Sequence, residues 1–105
     1  MNLPPITHLQ FLILSQALTD ELSGREMRER LAAHGVRRTL AAFYQLMSRL
    51  EESGLIEGRY VAKAIKGQSV RERRYAVTTA GQEAYEATCR FYRVQVDTRS
   101  QEARG

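Results

Sequence analysis

A single cysteine, Cys89, stands among the 105 residues. No internal disulfide can form, which fits a reducing compartment. The longest apolar run, Phe11-Leu12-Ile13-Leu14, stops at four residues, far short of a membrane span. The first residues show no basic stretch leading into an apolar one and a small-residue cleavage site. No secretory leader is therefore expected. One cysteine and two distant histidines, His8 and His34, match no zinc spacing. Nucleophile-elbow, P-loop and dinucleotide-binding glycine patterns are missing. No nucleophile–base pair stands in view, so no enzyme is expected and no cofactor is implied. There is no internal repeat and no low-complexity tract.

What remains is a chain of one-domain length, with 43% hydrophobic and 27% charged residues. That composition argues against disorder throughout and leaves no room for a cleft between two domains. The net charge is +4, which alone says little about partners. Its placement says more. Residues 23–38 carry five Arg and two Glu, or +3, and residues 55–78 carry six bases and two acids, or +4. Residues 39–54, between them, carry one Arg and two Glu, or −1. The positive charge thus lies in two blocks around a mostly apolar segment.

The pattern along the chain predicts four helices and a hairpin. Thr7 caps a first helix to about Thr19, apolar almost all round and so in need of cover on more than one side. Ser23-Gly24-Arg25-Glu26 is a capping box opening a second helix to about Ala33, with Met27 and Leu31 as its apolar seam. Gly35 suits the left-handed position after it. Thr39 caps a third helix over 40–53, where Phe43, Leu46, Met47 and Leu50 fall on one face at the helical period. Residues 56–65 and 70–77 read as a hairpin around the polar tip Lys66-Gly67-Gln68-Ser69. Thr78 or Thr79 caps a fourth helix to about Val96, with two apolar stripes. A helix pair with a glycine-bearing turn, followed by a hairpin, is a winged helix-turn-helix: mainly α with a small two-stranded β-hairpin. Residues 1–78 form that domain on this reading, 79–97 a dimerisation helix, and 98–105 an unstructured tail.

Three segments in register carry a family resemblance. Thr39 precedes Phe43-Tyr44; Leu46-Met47-Ser48-Arg49-Leu50-Glu51-Glu52-Ser53-Gly54-Leu55-Ile56 follows; and Arg74-Tyr75-Ala76-Val77-Thr78-Thr79-Ala80-Gly81 closes the set. Over about residues 9–92 the chain resembles PadR-like transcriptional regulators, in the compact class with a single C-terminal helix. The resemblance implies a cytoplasmic repressor that binds palindromic operators as a homodimer, with an interface built from the C-terminal region and the first helix. Where many members have His-Gly-Tyr at the start of the second helix, this chain has Ser23-Gly24-Arg25 and keeps only the glycine. The identity of a small-molecule effector therefore does not transfer.

Double-stranded DNA is the partner expected. Thr39, Ala41, Ala42 and Gln45 lie on the outer side of the third helix near its start; the glutamine amide can read adenine and the alanines allow close approach. Tyr44, at the edge of that face, reads equally as a phosphate contact and as an amphipathic edge of the core. Arg37 and Arg38 precede a helix N-terminus, where the dipole disfavours cations and an external anion is wanted. Lys63, Lys66, Gln68, Arg71 and Arg73 belong to the wing; Arg73 and Arg74, as strand neighbours, cannot face the same way. Leu9, Phe11, Leu12 and Leu14 of the first helix, with Tyr85, Cys89, Tyr92 and Val96 of the fourth, are the expected dimer contacts. The competing readings are a winged helix used only for protein contact and a monomeric DNA binder.

Overall fold

A computed structural model describes residues 2–104, with side chains through residue 99. Four helices and three strands follow in the order α1 (His8–Gln16), β1 (Leu22–Ser23), α2 (Gly24–Ala33), α3 (Leu40–Glu52), β2 (Ile56–Ile65), β3 (Gln68–Val77) and α4 (Thr79–Arg104). The fold is mainly α with a small β wing.

Local chemistry sets the helix starts. Thr7 and Ser23 each form a complete capping box, with Gln10 and Glu26 as the reciprocal partners. The Ser23 backbone and hydroxyl bonds hold the Glu26 carboxyl below the usual carboxylate range. Gly35, at φ 80°, closes α2 and lets Val36 N–H reach back to Leu31. α1 ends a few residues before the Thr19 expected.

The core gathers one face from each of α1, α2 and α3 and closes on residues of the sheet. Ile13 and Leu14 of α1, Leu22 of β1, Met27 and Leu31 of α2, Phe43, Met47 and Leu50 of α3, and Tyr75 of β3 are all buried. Each such side chain contributes about 1.5–3 kcal/mol of burial. This corrects one expectation: Leu14 has no exposed surface, so it is a core residue and not a dimer contact.

The sheet has three strands in the order β1-β3-β2, all antiparallel. Sequence reasoning missed β1, whose two residues are too few to show a period. It joins the helical body to the wing by pairing Leu22 with Tyr75 and Ser23 with Arg74. The wing turn is also tighter than expected. Ile65 pairs with Gln68, leaving only Lys66 and Gly67 between the strands, at φ 51° and 78°. Two successive positive φ values give the hairpin turn whose twist matches the strands. Gln68 is therefore a strand residue beside the tip.

At the wing's base, Thr78 donates to the Gly54 carbonyl (2.6 Å) and accepts from Gly81 N–H (3.0 Å), capping α4. Gly81 is pressed against the Leu55 backbone so closely that a Cβ there would overlap the Leu55 carbonyl. α4 then continues past the end expected near Val96, as far as Arg104. No glycine or proline interrupts residues 97–104, so nothing local stops the helix there. The tail expected over 98–105 is helical to Arg104, and Gly105 lies outside the described residues. Twenty-six residues make a rod about 39 Å long. It gives a chain only 12.0 kDa in mass a long dimension of 67 Å. No described helix is long and apolar enough to cross a membrane.

Gly81→Ala is expected to lower unfolding free energy by roughly 1–3 kcal/mol. The overlap with a fixed carbonyl outweighs the helix propensity gained, about 1 kcal/mol. Denaturant unfolding measures this; a stabilised variant would contradict the packing described.

Candidate nucleic-acid interface

α3 is anchored from inside by Phe43, Met47 and Leu50, which turns Ala41, Tyr44, Gln45, Ser48, Arg49 and Glu52 outward around a shallow depression of about 410 Å³. Thr39 caps the helix by accepting from Ala42 N–H (3.2 Å) and is itself exposed. Ala41 and Gln45 are exposed as expected; Ala42 is half-buried and contributes less to that face. Tyr44 is 43% exposed and packs edge-on against Phe43 at 5.4 Å. Its ring borders a groove of about 270 Å³ between the start of α2 (Ser23, Gly24, Arg25) and the wing (Lys63, Val70, Arg71). Tyr44 is thus both a core edge and a groove wall.

The first basic block divides into paired and unpaired charges. Arg25 binds Glu29 (3.2 Å) and Arg30 donates to the Gln16 carbonyl (3.1 Å). Arg28, Arg37 and Arg38 make no ion pair among the described residues, and they line one small pocket beside the turn into α3. Sequence reasoning missed Arg28, although its place on an exposed face of α2 was legible.

The wing divides in the same way. Arg59 and Arg74 both reach Glu21, at 3.0 and 3.2 Å, and Arg74 also approaches Glu26 and Glu72 at 3.6 Å. Lys63 lies 3.8 Å from Glu72. Arg73 spans to α3, its Nη2 donating to both carboxylate oxygens of Glu51 at 2.8 and 2.9 Å. Among the described residues, only Lys66 and Arg71 of the six wing cations face no carboxylate. The expectation that Arg73 offers a free cation to nucleic acid is therefore corrected: it lines the groove, but its charge is matched by Glu51 and only a quarter of the side chain is exposed. Arg74, on the opposite strand face, is held by carboxylates too.

The Glu51–Arg73 pair occupies space that Gly58 leaves open. A Cβ at Gly58 would overlap the Glu51 carboxylate and crowd the Arg73 guanidinium. Both partners are about one-quarter exposed, so water screens the pair only partly. It ties the end of α3 to the middle of β3.

The fourth helix accounts for the remaining expected contacts. Phe11 of α1 stacks on Tyr85 of α4 at 4.9 Å, nearly parallel, and Leu9, Leu12 and Cys89 are partly buried. Hydrogen bonding to Cys89, with some burial, pushes the Tyr85 phenol up from its usual range. The other stripe, Ala84, Ala87 and Phe91, faces the N-terminal Leu3-Pro4-Pro5. Both stripes are thus partly used within the subunit. Farther along α4, Tyr92, Val94 and Val96 stay exposed, at 43%, 43% and 61%.

Comparison with known proteins places this geometry. The model of the transcriptional regulator PadR-like family matches residues 13–87. The chain belongs to that family. PadR-like proteins are regulators of transcription, not enzymes. No curated protein matches the chain. Among solved structures, a PadR-like transcriptional regulator from Bacillus cereus shares 24% identity at a TM-score of 0.70, covering 92% of each chain. A PadR family transcription regulator from Clostridium difficile shares 20% identity at 0.74, covering 92% of this chain and 99% of that one. Bacillus subtilis PadR, solved in complex with operator DNA, shares 21% identity at 0.64 over 79% of this chain. This chain spans about half of that protein's length, 47%. These similarities show the winged-helix fold.

If the Glu51–Arg73 pair braces the wing, Arg73→Gln should cost about 1–2 kcal/mol of stability, between exposed and buried pairs. Arg59→Gln, removing a more exposed pair, should cost less than about 1 kcal/mol. Equal losses in chemical denaturation would remove the special role given to Arg73.

Proposed function

We propose that this PadR-like chain is a cytoplasmic repressor that binds a palindromic DNA operator as a homodimer. The observation that carries the reading is the placement of unpaired cations. Arg37 and Arg38 lie just before α3, Arg71 lines the groove that Tyr44 of α3 also borders, and Lys66 is at the wing tip. A helix presenting Gln45 and small side chains fits the major groove, and cations beside it fit phosphates. Arg49 joins that face; sequence reasoning passed over it because it sits late in the helix. The operator complex of Bacillus subtilis PadR supports DNA as the partner of this domain type.

The exposed Tyr92 and Val96 supply the dimer contact, one turn apart on the free end of α4. Leu9, Phe11, Leu12, Tyr85 and Cys89 are only partly buried within the subunit, which leaves surface for a partner's helix to complete. Two copies joined there would hold two α3 helices about one DNA turn apart. A small-molecule effector that changed the spacing of the wings would release the operator; its class stays open.

Selection from random duplexes at near-physiological salt, with competitor DNA, tests the reading. The expected result is an enriched inverted repeat with half-sites about one helical turn apart. A folded dimer that enriches no sequence would instead favour a protein-contact module.

A further inference from the structure

Arg71 has no carboxylate partner among the described residues, yet its guanidinium is not left to wander. Its central carbon lies 4.3 Å from the centroid of the Tyr60 ring. The same ring carries Arg73 at 4.7 Å. Tyr60 pairs with Arg73 across the sheet, and Arg71 is the next residue of β3 on that strand face. Arg73 is fixed to α3 through Glu51. A line of contacts therefore runs from α3 through Glu51, Arg73 and Tyr60 to Arg71. It sets the position of an unpaired cation on the wing relative to the helix offered to DNA.

The geometry points to Tyr60, 55% exposed, as a positioning residue for nucleic-acid binding: its ring holds Arg71 ready for a backbone phosphate beside α3. The inference rests on the DNA-binding reading given above. Stacking uses the flat face of a guanidinium and leaves its in-plane N–H donors free, which is the edge that grips phosphate in a two-pronged contact. An arginine already ordered by a ring loses less freedom when it binds. Arg71 also lines the groove between the wing and the start of α2, which Tyr44 of α3 borders and Glu72 and Arg73 share, so a phosphate meeting it would lie beside Tyr44.

The test uses the full chain and a labelled mixed-sequence duplex pool about three helical turns long, because a phosphate contact does not depend on sequence. Tyr60→Leu should weaken binding roughly two- to fivefold per subunit, the size of an exposed cation–π contact. The salt dependence should stay as in the parent chain, because no charge is lost. Tyr60→Phe, which keeps the ring, should bind like the parent. In an Arg71→Ala background, Tyr60→Leu should have no further effect. Thermal melts confirm that each variant is folded. Parent-like binding by Tyr60→Leu, or an equal loss with and without Arg71, overturns this inference alone. A parent chain that binds no better than its Arg71→Ala variant overturns the DNA-facing role of Arg71, and this inference with it.

Discussion

The ion pair between Glu51 and Arg73 is the constraint on which the rest of the interface depends. Glu51 sits in the last turn of α3, and Arg73 in the middle of β3, 22 residues later. Besides the loop at Gly54-Leu55, the shared core and the short β1–β3 pairing, this pair is what links the end of α3 directly to the wing. The pair forms because β2 has no side chain at Gly58 to obstruct it. On the other side of the sheet, Glu21 gathers Arg59 and Arg74 and ties the wing to the start of α2. The wing is thereby held from both faces.

Holding the wing in this way has a consequence for charge. A hairpin segment with a net charge of +4 in sequence looks broadly basic, but carboxylates neutralise most of its cations in place. The attraction for an anion is concentrated at Lys66 and Arg71, and on the helical side at Arg28, Arg37, Arg38 and Arg49, none of which makes an ion pair among the described residues. Concentrated charge fixes the position of a duplex better than a diffuse basic surface does, because each phosphate contact then has a defined place. The bracing that matches the charge of Arg73 also orders Arg71 through Tyr60.

Much of this was legible in the sequence, and the boundary follows the range of the interactions. The capping boxes at Thr7 and Ser23, the face of α3 carrying Phe43, Met47 and Leu50, and the hairpin depend on residues a few positions apart. Local pattern finds those. The pairing of Arg73 with Glu51, of Arg74 with Glu21, and the burial of Leu14 depend on residues far apart in the chain. Local pattern is blind to them, so Arg73 read as a free wing cation and Leu14 as an interface residue. Tyr60 was missed for the same reason: on a strand it shows no signal beyond being an aromatic, and its role comes from guanidiniums on the neighbouring strand. The length of α4 was underestimated because residues after Val96 lose apolar periodicity while keeping helix-compatible composition.

The central claim is that unpaired cations, and not basic residues in general, make the contact with DNA. The dependence of duplex affinity on salt concentration measures this directly, because the slope counts phosphates neutralised, at about 0.9 per contact. Lys66→Ala with Arg71→Ala should flatten the slope by roughly two contacts per subunit, whereas Arg59→Ala, taking away a cation already matched by Glu21, should leave it nearly unchanged. Equal flattening by paired and unpaired cations, or no flattening by either, would contradict the account.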